Sequence, residues 1–272
     1  MSQRLRLADG GWLSYEITEA RSCLPPLLLL RPLGGSMALW GAFRARLAEE
    51  RSVISFDPRG VGESSDCHLF GTTRDMAGDA LALLDAIHVE RVHAFGLSLG
   101  GMVATWLAID YPGRIEKLVL ASTLPRPKRF GRGTMAELIG VAGCLSRPAP
   151  AAEICMVHGI LSPDFLEKQP EAVRGIEAAI RTHPSTKANL LRLMLAGARH
   201  DPGAALEKIV APTFILTGAL DPIVGPAARA ELKSRLPLAR IEVLPDAGHD
   251  LTLEQPLATA LEVSAFLHGR VP

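Results

Sequence analysis

Short apolar runs alternate with stretches of helical periodicity along most of the chain. Residues 12–18 (WLSYEIT) alternate apolar and polar, which predicts a strand with one covered face. Residues 26–33 (PLLLLRPL) and 51–57 (RSVISFD) are nearly continuous apolar runs and read as buried strands, with a helix over 37–50 between them. Residues 72–87 repeat apolar positions at helical spacing (Met76, Leu83, Ile87) and carry Asp75 in the first turn, so they predict an amphipathic helix. Further strands are expected at 91–98 (RVHAFGLS), 115–123 (IEKLVLAST), 212–218 (PTFILTG) and 239–248 (ARIEVLPDAG). Strand–helix repetition with apolar strands is the pattern of a mostly parallel sheet covered on both faces. It is interrupted once. From 124 to about 209 the pattern is helical only, broken at SRPAP, LSP and THPS. An all-helical insertion, 124–207, is therefore expected inside an α/β core formed by 1–123 and 208–272.

Composition narrows the partners. The chain has 272 residues, 48% hydrophobic, with a formal net charge of zero, which gives no electrostatic case for nucleic acid or an anionic membrane. No apolar stretch approaches the roughly 20 residues of a membrane span, and the start, MSQRLRLADGG, has no apolar core of a secretory signal. Cys23, Cys67, Cys144 and Cys155 are scattered without CxxC spacing, so neither a zinc site nor a disulfide framework is expected. The reading is a soluble, cytoplasmic, metal-free protein with no nucleic-acid or membrane partner.

The candidate chemistry lies at strand ends. FGLSLGG (95–101) is Gly-x-Ser-x-Gly at a strand-to-helix junction. A hydroxyl projecting from a sheet edge needs a very sharp turn, and Gly96 and Gly100 leave the room that a Cβ would fill. The helix that follows points its positive end at a developing oxyanion. Ser98 is the candidate nucleophile, and a serine hydroxyl needs a base that is itself oriented by a carboxylate. Asp221 follows the strand ending near Thr217, and His249 follows the next one. Loops at the carboxyl ends of parallel strands converge on one edge. Asp246 and Asp250 flank His249 in the same loop, and Asp250 is the alternative to Asp221 as orienting acid. His200-Asp201, at the foot of the insertion, reads as solvated or capping. His68, His88, His93, His158, His183 and His268 read as surface or packing residues. FDPRGVGESSD (56–66) lacks phosphate-loop spacing and reads as architecture, with Asp57 and Arg59 pinning the loop.

RPLGGS, FDPRGVGESS, GLSLGG, LTGALDPIV and DAGHD, in that order, identify the chain as resembling the α/β-hydrolase superfamily over essentially its full length. The stretch FGLSLGGMVATWLAIDYPGRIEKLVLAST resembles 3-oxoadipate enol-lactonases and related carboxylesterases of the cap-bearing branch. The resemblance implies an eight-stranded, mostly parallel sheet, a helical cap after the sixth strand, and cofactor-free acyl chemistry on an ester or lactone. It also implies an oxyanion hole made by the backbone N–H groups of Leu33 and Leu99. The same triad serves carbon–carbon bond hydrolysis, acyl transfer and perhydrolysis elsewhere in the superfamily, and a ligand-binding member with little turnover is a further alternative.

This chain departs from the family at Arg31-Pro32, where His-Gly is common. Pro32 presets the loop, a cis peptide being one way to do so. Arg31 either ties loops together or binds a substrate carboxylate. Gly34 allows close backbone approach to substrate, and Trp40 is a pocket wall or a core anchor. Arg126, with Lys128, Arg129 and Arg132, marks the entrance to the cap, as a site for an acidic substrate or as a solvated hinge. NLLRLMLAG (189–197) either lines an apolar pocket or packs cap on core.

Overall fold

The computed structural model describes residues 2–69, 71–126 and 132–269, with the backbone alone over 132–138. The strands are β1 (Gln3–Arg6), β2 (Trp12–Thr18), β3 (Leu27–Leu30), β4 (Val53–Phe56), β5 (Val92–Leu97), β6 (Ile115–Ala121), β7 (Thr213–Gly218) and β8 (Arg240–Leu244). They form one sheet in the order β1-β2-β4-β3-β5-β6-β7-β8. The pairs β1–β2 and β2–β4 are antiparallel, and every pair from β4 to β8 is parallel.

Parallel neighbours need crossovers, and helices supply them. They include α1 (Gly41–Ala48), α2 (Thr73–Ala86), α3 (Leu99–Asp110) and α9 (Pro226–Arg235), while α10 (Leu251–Glu254) and α11 (Pro256–Leu267) follow the last strand. The pleat of the strands divides the core. Leu28, Leu30, Ile54 and Ala94 pack with residues of α2, α3 and α9, including Leu84, Leu107 and Leu232. Leu27, Leu29, Val53 and Phe95 face the other way, against Phe43 and Leu47 of α1 and Val263 and Leu267 of α11. This is why β3 and β4 read as nearly continuous apolar runs, broken in β4 by Ser55 alone. α2 begins where its chemistry says it should: Thr72 and Asp75 form a capping box, each side chain accepting the other's backbone N–H.

Between β6 and β7 lie α4 (Arg132–Leu145), α5 (Ala151–His158), α6 (Pro163–Lys168), α7 (Pro170–Thr182) and α8 (Lys187–Ala198), the cap expected after the sixth strand. Ile154, Val157, Phe165, Ile176 and Ile180 form its own apolar interior, joined by Leu39 of the core. Leu193 of α8 meets Val61, Leu99 and Met102, so part of 189–197 packs cap onto core.

Two expectations need correction. Cys144 and Cys155 form a disulfide joining α4 to α5, with Cα atoms 5.4 Å apart. The pairing comes from the contact between two helices, which motif spacing does not register. The Arg31–Pro32 bond is trans, since the cis bond among the described residues is Ala149–Pro150. Among the described residues no helix is long and apolar enough to cross a membrane.

Candidate active site

β5 ends at Leu97 and α3 begins at Leu99, so Ser98 alone makes the turn. Its φ of 55° and ψ of −117° are strained for an L-residue, at a cost of about 1–3 kcal/mol. Neighbouring glycines make the turn possible. A Cβ on Gly96 would lie 2.3 Å from the Gly100 carbonyl oxygen, and one on Gly100 would lie 2.1 Å from that of Leu30. The turn is tied to the end of β6: Ser98 N–H donates to Ala121 O (2.9 Å) and Ser98 O accepts from Thr123 Oγ1 (2.7 Å). Leu99 is the first residue of α3, so its N–H has no intrahelical acceptor.

The loops after β7 and β8 bring Asp221 and His249 to this serine. His249 Nε2 lies 2.8 Å from Ser98 Oγ, and His249 Nδ1 lies 2.9 Å from each carboxylate oxygen of Asp221. With the proton on Nδ1, donated to Asp221, Nε2 is free to accept from the hydroxyl. The two loops touch through glycines, because a Cβ on Gly218 would lie 2.1 Å from the Gly248 oxygen. Asp221 Oδ1 also accepts the Ile223 and Val224 N–H groups at 2.7 and 2.9 Å. Burial acts to raise the Asp221 pKa, but the neighbouring imidazole and these N–H donors outweigh it and hold the carboxyl below its usual range. Asp250 is engaged elsewhere: Oδ2 holds Arg31, and Oδ1 accepts the Thr252 and Leu253 N–H groups that open α10.

Arg31 is a tie. Its side chain is 1% exposed, pairs with Asp250 at 3.1 Å, and stacks over Trp40 at 4.5 Å from the ring. Burial pulls its pKa down and the Asp250 carboxylate opposes that; a guanidinium stays charged throughout. The loop after β3 is thus fastened to the residue following His249, and Arg31 is not open to bind a substrate carboxylate. Trp40 is fully buried against Phe43 and Phe95, a core anchor rather than a pocket wall. Gly34, at φ 74°, lies under the cap: a Cβ there would meet Leu190 Cδ2 at 3.0 Å and Glu153 Oε1 at 3.2 Å. Arg126 turns to Glu231 on α9 instead of the site. Lys128 and Arg129 lie outside the described residues, as does the side chain of Arg132.

Other candidates resolve into architecture. Asp57 accepts Met37 N–H (2.7 Å) and Glu63 N–H (3.2 Å), while Arg59 pairs with Asp79 and Asp9. His200 is buried rather than solvated, 3.0 Å from Thr73 Oγ1 and edge-on to Trp106; burial pushes its pKa down to about 4. His68 pairs with Asp9. Two carboxylates at the cap boundary, Glu153 of α5 and Glu254 of α10, carried no sequence signal. Glu153 is 3% exposed, and burial raises its pKa to about 7 despite the Ser185 N–H at 2.8 Å and the nearby Arg31. Glu254 binds backbone on both sides of the cap boundary.

The chain belongs to the alpha/beta hydrolase fold family, whose profile matches residues 25–256. Similar proteins include a putative carbamate hydrolase, RutD, of Pseudomonas savastanoi pv. phaseolicola, 28% identical over 260 residues, 94% of this chain and 99% of that one. The 3-oxoadipate enol-lactonase 2 of Acinetobacter baylyi is 27% identical over 244 residues, 89% of this chain and 88% of its own. The crystal structure of the enol-lactonase from Burkholderia xenovorans has a TM-score of 0.86 at 26% identity, covering 98% of this chain and 100% of that one.

Proposed function

We propose that this protein is a serine hydrolase that cleaves a carboxylic ester or lactone through an acyl-enzyme on Ser98. The observation that carries the reading is the continuous relay from Ser98 Oγ through His249 to Asp221, at 2.8 and 2.9 Å. Ser98 Oγ attacks the carbonyl carbon as His249 Nε2 takes its proton, and Asp221 stabilises the imidazolium. The Leu33 and Leu99 N–H groups receive the oxyanion, each worth about 3–4 kcal/mol in the transition state. The C–O bond breaks, and His249 returns its proton to the leaving oxygen. Water then attacks the acyl carbon with the same base, and Ser98 is released. The cap helices α4 to α8 carry the residues that select the substrate.

The enol-lactonase relatives favour an ester or lactone, and the cycle as written consumes only substrate and water. The same serine chemistry would also open a carbamate, the substrate class named for the relative from P. savastanoi. The test is turnover by purified protein across short-chain esters, aryl esters, enol-lactones, a carbamate and a β-diketone. Ester or lactone turnover that disappears in Ser98→Ala supports the reading. Cleavage of the β-diketone alone points to carbon–carbon hydrolysis, and ester turnover that survives Ser98→Ala overturns the assignment.

A further inference from the structure

The loop that carries His249 is fastened to the cap as well as to the core. His249 N–H donates to Ile160 O at 3.0 Å. One carboxylate then spans the boundary: Glu254 Oε2 accepts Gly248 N–H at 3.0 Å and Glu254 Oε1 accepts Ser162 N–H at 3.3 Å. Ile160 and Ser162 belong to the turn between α5 and α6, whereas Gly248 directly precedes His249. The approach leaves no room for a side chain at 248, where a Cβ would lie 2.8 Å from Ser162 N and 3.0 Å from Ile160 O. Glu254 is pre-placed for this by α10, whose N-terminal Asp250 cap is itself held by Arg31.

We propose that Glu254 is a positioning residue that locks the α5–α6 turn of the cap to the His249 loop, so that the imidazole keeps its place only while that turn is docked. The cap is then part of the support of the base, not solely a cover over substrate. This role rests on the serine-hydrolase reading above. The argument is one of donors and acceptors. The Gly248 and Ser162 N–H groups both donate to Glu254, with the Ser162 hydroxyl beside them, and a carboxylate offers each N–H an oxygen. A glutamine offers one oxygen and sets an NH₂ against the other donor.

Glu254→Gln should therefore lower kcat for a nitrophenyl ester by roughly tenfold or more, with KM within about twofold, because the base is displaced while the pocket is not. Ser162→Pro removes the N–H donor, at a φ of −67° that already suits proline, and should move kcat the same way, whereas Ser162→Ala, which loses the hydroxyl and its α6 cap but keeps the N–H, should leave kcat within about twofold. Leu83→Val, on α2 in the core against the opposite face of the sheet, should lower Tm and leave kcat unchanged. A second readout needs no substrate: the downfield Nδ1–H resonance of His249, identified by its loss in His249→Gln, should broaden or vanish in Glu254→Gln. If kcat and the resonance both persist in Glu254→Gln, the positioning role is wrong. If wild type turns over none of the substrates yet the resonance is lost in Glu254→Gln, the lock stands and the serine-hydrolase reading fails.

Discussion

Replacing Arg31 by methionine tests how the site is braced. The substitution keeps much of the stem's apolar volume, removes the guanidinium, and strands the Asp250 carboxylate, whose side chain is 2% exposed. Removing one partner of a buried pair costs about 3–5 kcal/mol, most of it the burden of an uncompensated charge. At roughly 2–4 °C per kcal/mol for a chain of this size, the melting temperature should fall by about 6–20 °C. Differential scanning calorimetry reads that shift. Adding Asp250→Asn neutralises the stranded charge while keeping an oxygen for the Thr252 and Leu253 N–H groups. The double variant should regain more than half of the loss, a non-additivity expected of groups in contact. A shift below about 1 kcal/mol in Arg31→Met, or a double variant as unstable as the sum of the two single ones, refutes the bracing argument.

Three other substitutions probe separate parts of the account. Asp221→Asn keeps the volume but removes the acceptor that sets the His249 tautomer, so kcat should fall by about 10⁴-fold with the fold intact by circular dichroism. Gly100→Ala puts a Cβ 2.1 Å from the Leu30 oxygen, and should yield insoluble protein or a Tm lower by more than 10 °C, or about 3 kcal/mol. Glu153 carries a pKa raised from 4.5 to about 7, so the folded protein holds a proton that the unfolded chain releases between those values. Its contribution is present in full below about pH 4.5 and lost as pH rises through about 7, a change on the order of 3 kcal/mol. Glu153→Gln should therefore raise Tm at pH 8 and not at pH 4.5, and an equal offset at both would contradict this.

What was legible in the sequence follows from what local chemistry decides. β3, β4, β5 and β7 are buried on both faces, so each is mostly apolar along its whole length rather than alternating. Ser98 stood out because a strand can become a helix across one residue only when glycines flank it. Asp221 and His249 could be named because each follows its own strand, and parallel strands end at the same edge. β1 was not legible: four mostly exposed residues at the sheet edge, QRLR, carry no burial pattern. Nor was the Cys144–Cys155 link, which depends on how α4 meets α5. The partner of Arg31 lies in a loop 219 residues away, and Glu153 and Glu254 acquire their roles only when the cap is seated. His200 looked solvated beside Asp201, yet Thr73 and Trp106 enclose it. Side chains that act across the cap boundary are set by tertiary contact, where periodicity and motif spacing are silent.

The most direct test of the central claim is covalent labelling with a fluorophosphonate, read by intact mass and peptide mapping. The account predicts a single adduct on Ser98, absent in Ser98→Ala and formed far more slowly in His249→Ala. No adduct on native protein, or an adduct at another residue with Ser98 untouched, would contradict it.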